Sequence, residues 1–201
     1  MRLFLADISR VNLEHSLLLD SERRQRVSRC KMLDDKKRCI TSGLLIKRFF
    51  GDKCIRLNEW GKPFAPDGGC FNISHSGSYV LFALSDFEIG CDIERIRFLN
   101  PLKTGRAVFG ENERQYIADS YDKIGSFFKL WTKKESLLKC IGEGFHRSAK
   151  SVDVSFDCFE EHGKRYFMKS FVFSDYMISV CSVKNDFPRS IEFISHNELT
   201  V

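Results

Sequence analysis

The sequence predicts an α+β fold made of two similar lobes. The chain has 201 residues, of which 43% are hydrophobic and 29% charged, enough apolar material to bury a substantial core. Segments with helical periodicity are followed by sheet-like segments, and the same order repeats after Asn100 and Pro101. We therefore predict one lobe in residues 1–100 and a second lobe in residues 101–201.

The first half begins with an apolar stretch that is broken at Asp7, which predicts a strand. Two helices are predicted next, and Gly51 ends the second of them. Residues 85–87 predict a hairpin turn between the last two strands of this half. The predicted strands are 1–8, 54–57, 79–84 and 88–93, and the predicted helices are 17–30 and 34–50.

The second half is predicted to be helical as far as about residue 141, where Gly142 and Gly144 are typical of a helix C-terminus. In its last helix, Phe127, Trp131 and Leu138 lie on one apolar stripe. We interpret Trp131 as a core residue. The strands predicted after this helix are 152–156, 166–173, 177–183 and 191–194.

The net charge of +5 is unevenly distributed along the chain. Residues 21–56 contain twelve Lys and Arg against four Asp and Glu, a local net charge of +8. Such a block indicates either an anionic partner or a solvated helix face. No stretch has the length and apolar character of a signal peptide or a membrane span, so we expect a cytoplasmic protein without a membrane partner. The eight scattered cysteines are expected to be free thiols.

Two carboxylates close the last predicted strand of the first half. Alternate residues of a strand project to the same face, so Asp92 and Glu94 are predicted to point together, with Cys91 and Ile93 facing the core. Like charges side by side need either a cation between them or an exposed face that tolerates the repulsion. Both interpretations remain open from these two residues alone.

A third carboxylate, Glu135, falls on the apolar stripe of the long helix, with Lys139 four residues further on the same face. A carboxylate in that position must be paired, protonated or bound to a metal ion. One interpretation is a helix ion pair at the edge of the core. The other combines Glu135 with Asp92 and Glu94 as an oxygen-ligand site for Mg²⁺ or Mn²⁺.

Four motifs then occur in order along the chain. They are "GKPF", "FNISHSGSYV", "IGCDIERI" and "FFKLWTKKESLLKCIGEGF". In order and spacing they resemble the surfactin-type 4′-phosphopantetheinyl transferases, and the similarity runs from end to end. The resemblance implies a pseudo-dimer of two α+β lobes with the active site in the cleft between them. It also implies transfer of the 4′-phosphopantetheine arm of coenzyme A to a serine of an apo acyl or peptidyl carrier protein, with release of 3′,5′-ADP.

The resemblance also implies roles for individual residues. Asp92, Glu94 and Glu135 would be the Mg²⁺ ligands, and Glu135, Lys139 and His75 the catalytic residues, with Glu135 preferred as the base. Lys139 would contact a phosphate of coenzyme A. The other residues implied to bind coenzyme A are Arg23, Arg26, Arg38, Gly61, Lys62, Pro63, Ser74 and His75. The first lobe would then hold the coenzyme and the Asp-x-Glu pair, and the second lobe the helix that carries Glu135. The enzyme is expected to be monomeric.

Two alternatives predict different behaviour. A different Mg²⁺-dependent phosphohydrolase or nucleotidyl transferase, using the same carboxylates, would consume nucleotide without a carrier protein. A nucleic-acid-binding module built on the basic helices would lose affinity steeply with salt. Few aromatic residues lie in the basic block, so no nucleic-acid partner is expected.

Overall fold

The computed structural model describes residues 1–51, 53–66, 68–142 and 148–200. Gly142 ends the long helix in a left-handed conformation, as predicted, whereas its predicted companion Gly144 and the end of the fourth motif at Phe145 lie outside the described residues. The strands are β1 (Arg2–Asp7), β2 (Arg56–Leu57), β3 (Pro63–Phe64), β4 (Cys70–Ser76), β5 (Tyr79–Ser85), β6 (Ile89–Arg95), β7 (Cys158–Glu161), β8 (Lys164–Phe173), β9 (Tyr176–Ser182) and β10 (Glu192–Ile194). The helices are α1 (Ser21–Arg29), α2 (Leu33–Phe50), α3 (Pro101–Gly105), α4 (Glu111–Asp119), α5 (Lys123–Ile141) and α6 (His196–Leu199).

The strands form two four-stranded sheets and one small two-stranded sheet. Sheet 1 has the order β10-β1-β5-β4, sheet 2 has the order β6-β9-β8-β7, and β2 pairs with β3. One core lies between sheet 1 and α2, and a second lies between sheet 2 and α5. A third apolar cluster joins residues of β1, β5, β6 and β9 where the two sheets meet. The α+β class expected from the sequence is confirmed.

The two sheets exchange strands across the middle of the chain. Strand β6 comes from residues 1–100 but pairs with β9 in sheet 2, and β10 comes from residues 101–201 but pairs in parallel with β1 in sheet 1. The boundary near residue 100 therefore does not coincide with the division between the sheets. As a consequence, the strand that carries Asp92 and Glu94 belongs to the same sheet that α5 covers.

The hairpin predicted between β5 and β6 is wrong. Both edges of β5 are already occupied, one by β1 and the other by β4, so β6 has no free edge there to pair with. The connection turns away where the backbone N–H of Phe87 donates to Ser85 Oγ at 3.1 Å. Strand β6 instead completes sheet 2, and this brings it against both α5 and β4.

The strand predicted at residues 152–156 is also wrong, because two buried lysines of α5 bind its carbonyl groups. Lys133 Nζ donates to the carbonyls of Val154 at 2.6 Å and Phe156 at 2.7 Å. Lys134 Nζ donates to Val152 O at 2.8 Å, and to Glu113 Oε2 at 2.7 Å. The ammonium groups satisfy these carbonyls in place of a neighbouring strand and hold the segment against the helix. Within the described part of the chain, no helix has both the length and the apolar character needed to cross a membrane.

Candidate active site

The site begins with a close contact between β6 and α5 at Gly90. A Cβ atom at this position would lie 2.1 Å from the carbonyl oxygen of Ser136 and 2.4 Å from the backbone nitrogen of Cys140. Only glycine lets the helix backbone come this near to the strand. The contact places the turn of α5 that carries Glu135 and Lys139 beside the carboxylates of β6.

Asp92 is the most buried acid of the site, with 3% of its surface exposed. Its Oδ1 accepts hydrogen bonds from Lys139 Nζ at 2.6 Å and from Ser74 Oγ at 2.7 Å. Its Oδ2 is buried and has no hydrogen-bond partner among the described residues. Burial raises the pKa of Asp92, and the nearby ammonium of Lys139 opposes this effect. Within the described part of the chain, Oδ2 is therefore a candidate oxygen ligand for a cation.

Glu94 projects from the same face of β6, as predicted. Its Oε2 accepts from Ser76 Oγ at 2.9 Å, and the side chain also accepts a hydrogen bond from Trp131. Trp131 stacks on Phe127 with ring centroids 6.3 Å apart, so it packs in the core as predicted. It also donates a hydrogen bond to Glu94. Burial raises the pKa of Glu94, and the charge of Asp92 raises it further.

Glu135 completes the acidic group from α5. Burial raises the pKa of its carboxyl group, followed by the charges of Asp92 and Glu94, while Lys139 lowers it. For Lys139, burial disfavours the ammonium, but the charge and hydrogen bond of Asp92 together with the charges of Cys91 and Glu135 outweigh burial and raise the pKa overall. Three acids with one ammonium among them form a site of negative charge, which is suited to a cation.

The acids fit a hard metal ion in chemistry but do not converge on one point. Within residues 1–51, 53–66, 68–142 and 148–200, no three His, Cys, Asp or Glu side chains are arranged so that they hold a metal ion. The ligand atoms are all carboxylate oxygens, as Mg²⁺ prefers, and Asp92 Oδ2 lacks a partner in the described structure. The residues therefore fit Mg²⁺ by donor type and charge, with side-chain adjustment needed for coordination.

A cationic row lies beside the acids. His75 lies on β4 with a solvent-accessible side chain, and the positive charges of Arg38 and Lys139 are close enough to lower its pKa. Partial burial lowers the pKa of His75, and Arg38 lowers it further. Arg38 Nη1 donates to the carbonyl of Gly77 at 2.6 Å, which attaches α2 to the turn after β4. Arg38, His75 and Lys139 thus form a positive row next to Asp92.

The remaining predicted residues lie earlier in the chain, on α1 and around the start of β3. Arg23 is partly buried, which lowers its pKa, and its Nε lies 3.6 Å from Asp20 Oδ2. Arg26 is exposed and donates to Glu22 Oε1 at 2.7 Å. Their role in coenzyme binding stays a prediction.

The loop that contains Gly61, Lys62 and Pro63 contacts the end of α5. Gly61 has φ +84°, a left-handed conformation that favours glycine, and Pro63 pairs with Leu57 in the small sheet. Lys62 Nζ donates to the carbonyls of Ile89 at 3.0 Å and Cys140 at 3.1 Å. The ammonium of Lys62 is therefore engaged with the backbone near the site, and the predicted contact of this loop with adenine stays a prediction.

Three residues near the site were missed as functional residues by the sequence reasoning. Gly90 was visible only as a glycine inside an apolar strand, a pattern that often marks close backbone approach. Ser76 was visible only as the second serine around His75. Trp131 was assigned to the core alone, although it lies four residues before Glu135 on the same helical face.

We expect Glu135→Gln to stabilise the metal-free protein. The folded-state pKa of Glu135 is raised, so ionised Glu135 costs stability at pH 7 and the cost disappears as falling pH protonates it. Glutamine has no charge, so the variant should be more stable by about 0.5–2 kcal/mol at pH 7. Urea unfolding in EDTA at pH 7 and at pH 5 measures this, and the gain should shrink at the lower pH. A variant less stable than the wild type at pH 7 would contradict the cost of burying ionised Glu135 beside Asp92.

The family model and the similar proteins that match this sequence carry the same family name. The model of the 4′-phosphopantetheinyl transferase superfamily matches residues 88–191. The 4′-phosphopantetheinyl transferase ffp of Bacillus subtilis is 30% identical over 203 residues, 90% of this chain and 89% of that protein. Sfp of Bacillus subtilis strain 168 is 29% identical over 201 residues, with the same coverage of 90% and 89%.

Two further matches are partial. The 4′-phosphopantetheinyl transferase gsp of Aneurinibacillus migulanus is 35% identical over 138 residues, which are 64% of this chain and 58% of that protein. The crystal structure of the Thermotoga maritima holo-[acyl-carrier-protein] synthase superposes on 47% of this chain with a TM-score of 0.38 and 15% identity.

Carboxylates beside a row of cationic side chains are typical of enzymes that act on phosphate-containing substrates. The family match and the long alignment with ffp make this class specific. The chain belongs to the 4′-phosphopantetheinyl transferase superfamily, and the family and enzyme class expected from the sequence are confirmed.

Proposed function

We propose that this enzyme transfers the 4′-phosphopantetheine arm of coenzyme A to a serine of an apo acyl or peptidyl carrier protein and releases 3′,5′-ADP. The observation that carries the proposal is the position of Lys139, which contacts Asp92 on one side and extends the positive row of His75 and Arg38 on the other. A pyrophosphate needs both positive charge around its oxygens and a metal site at its side. We further propose that it acts as a cytoplasmic monomer, without nucleic acid or a membrane as partner.

In this proposal the positive row binds the phosphates of coenzyme A. His75 and Lys139 contact the pyrophosphate. Because the pKa of His75 is lowered, its imidazole is neutral near pH 7, so Arg38 and Lys139 supply the positive charge of the row and His75 contributes an N–H donor. Arg38 is half-buried and already oriented by Gly77, so it is a rigid donor for the 3′-phosphate. Arg23 and Arg26 add positive charge from α1, and residues 61–63 line the adenine.

Asp92, Glu94 and Glu135 would hold Mg²⁺ or Mn²⁺ through carboxylate oxygens. When bound, such an ion neutralises charge on the phosphate oxygens and orients the leaving group. Asp92 Oδ2 supports this assignment, since it is buried without a partner among the described residues and such an oxygen is costly. The raised pKa values of all three acids support it as well, because burial is their main cause and a bound cation would favour the ionised carboxylates there.

The reaction itself is a nucleophilic substitution at phosphorus. The hydroxyl oxygen of the carrier serine forms a bond to the β-phosphorus of coenzyme A, and the bond from that phosphorus to the bridging oxygen breaks. Glu135 accepts the serine proton, since it is the carboxylate that α5 places beside the acids of β6. Lys139 donates to the phosphate as negative charge moves to the leaving 3′,5′-ADP.

Intact-protein mass spectrometry of an apo carrier protein tests this function. The carrier is incubated with the enzyme, coenzyme A and Mg²⁺, beside an EDTA control and a carrier in which the acceptor serine is alanine. The expected result is the mass of one phosphopantetheine arm, absent in both controls. Breakdown of coenzyme A or a nucleotide without any carrier modification would instead support a phosphohydrolase or nucleotidyl transferase.

A further inference from the structure

Two edge strands meet at the junction of the sheets without a backbone ladder between them. Strand β4 is the edge of sheet 1 and β6 is the edge of sheet 2. The outward N–H groups of an edge strand need partners when they are buried. Here those partners are side chains of the neighbouring sheet.

Alternate residues of β4 accept from alternate N–H groups of β6. Asn72 Oδ1 accepts from the N–H of Cys91 at 2.9 Å. Ser74 Oγ accepts from Ile93 at 3.4 Å, and Ser76 Oγ accepts from Arg95 at 3.1 Å. In each pair the two residues are 19 positions apart. The side chains thus replace a backbone ladder and define the register of sheet 1 against sheet 2.

The two serines make a second, identical contact. A hydroxyl has one hydrogen to donate. Each serine donates it to the carboxylate of the β6 residue just before the one whose N–H it accepts. Ser74 donates to Asp92 Oδ1 at 2.7 Å, and Ser76 donates to Glu94 Oε2 at 2.9 Å. Each hydroxyl therefore orients a carboxylate and holds the backbone next to it.

We propose that Ser74 and Ser76 are positioning residues that orient Asp92 and Glu94 for metal binding at the junction of the two sheets. This inference rests on the metal site of the proposed function. Ser74 also accepts from Lys139 Nζ at 3.1 Å, so its hydroxyl faces the acids in this structure. Ser76 makes neither that contact nor any other with the positive row among the described residues, which makes it the cleaner position to test.

The test measures binding of Mn²⁺ by electron paramagnetic resonance, with and without coenzyme A, to the full-length chain. Ser76→Ala removes the hydroxyl, and Ser76→Thr retains it. The control Ser126→Ala removes a partly buried hydroxyl near the N-terminus of α5, which donates to Ser120 Oγ. We expect Ser76→Ala to weaken Mn²⁺ binding by about 10- to 100-fold. Ser76→Thr and Ser126→Ala should bind Mn²⁺ within about threefold of the wild type, since neither removes the contact with Glu94.

A second readout separates orientation from overall stability. If Ser76 positions Glu94, the Mg²⁺ concentration needed for half-maximal carrier modification should rise in Ser76→Ala, while the KM for coenzyme A stays unchanged. Equal Mn²⁺ affinity in Ser76→Ala and the wild type, or no Mn²⁺ binding by the wild type, would overturn the inference. If Ser76→Ala binds Mn²⁺ like the wild type and the wild type still modifies the carrier, only the role of Ser76 is contradicted. If the wild type does not modify the carrier, the proposed function itself is contradicted.

Discussion

Replacing Asp92 by asparagine is expected to lower kcat/KM for carrier modification by about 1000-fold. Asparagine keeps the size of the side chain, and its carbonyl oxygen still accepts from Lys139 and Ser74. The variant loses the negative charge and the second carboxylate oxygen. In the wild type this oxygen is Oδ2, which is buried without a partner in the described structure. The measurement is initial rate of carrier modification over a range of coenzyme A and Mg²⁺ concentrations.

The control for this variant is Asp186→Asn, which removes an exposed acid that lies outside the site. It should retain the wild-type rate. Circular dichroism and the unfolding midpoint show whether Asp92→Asn is folded, and we expect it to be, because the replaced carboxylate is already disfavoured by burial. A folded Asp92→Asn variant with full activity would remove Asp92 from the metal site.

Gly90→Ala is expected to lower the free energy of unfolding by about 3 kcal/mol or more. The added methyl group would lie 2.1 Å from Ser136 O and 2.4 Å from the nitrogen of Cys140, both backbone atoms that rotamer changes cannot move. Helix α5 must therefore shift away from β6. That shift also moves Glu135 and Lys139 relative to Asp92, so activity should fall even at temperatures where the variant is folded.

Urea unfolding measures the loss of stability, and carrier modification at low temperature measures the loss of activity. Gly110→Ala is the matched control, because an added Cβ there would meet only Glu113 Oε2 at 3.7 Å, an ordinary contact distance. It should change stability by less than about 1 kcal/mol. Equal stability of Gly90→Ala and Gly110→Ala would mean that α5 and β6 are not in fixed close contact.

The role of the Ser74–Ser76 stretch shows how the structure changes an interpretation made from the sequence. As a motif, Ser74 and His75 were expected to bind phosphate together. Their side chains leave β4 on opposite faces, since neighbouring residues of a strand alternate. His75 is exposed beside Arg38, while Ser74 lies against Asp92 and Lys139. The two residues of one motif therefore lie in different parts of the site, one beside Arg38 and one beside the acids, and the coenzyme contact implied for Ser74 stays a prediction.

The sequence by itself determined the relations that depend on local geometry. The two-residue period of a strand placed Asp92 and Glu94 on one face, and the helical period placed Glu135 and Lys139 on one face. These relations hold wherever the elements lie in the fold. Together with the four motifs in order, they were sufficient to predict the fold class, the family and the candidate residues.

Only the tertiary structure decided which elements meet. Strand β6 pairs with β9 and not with β5, the side chains of β4 replace a ladder with β6, and Gly90 admits the backbone of α5. Each of these contacts joins residues that are distant in sequence, and no local period encodes them. They depend on which strand edges remain free and on how closely backbones approach, and both are properties of the packed chain as a whole.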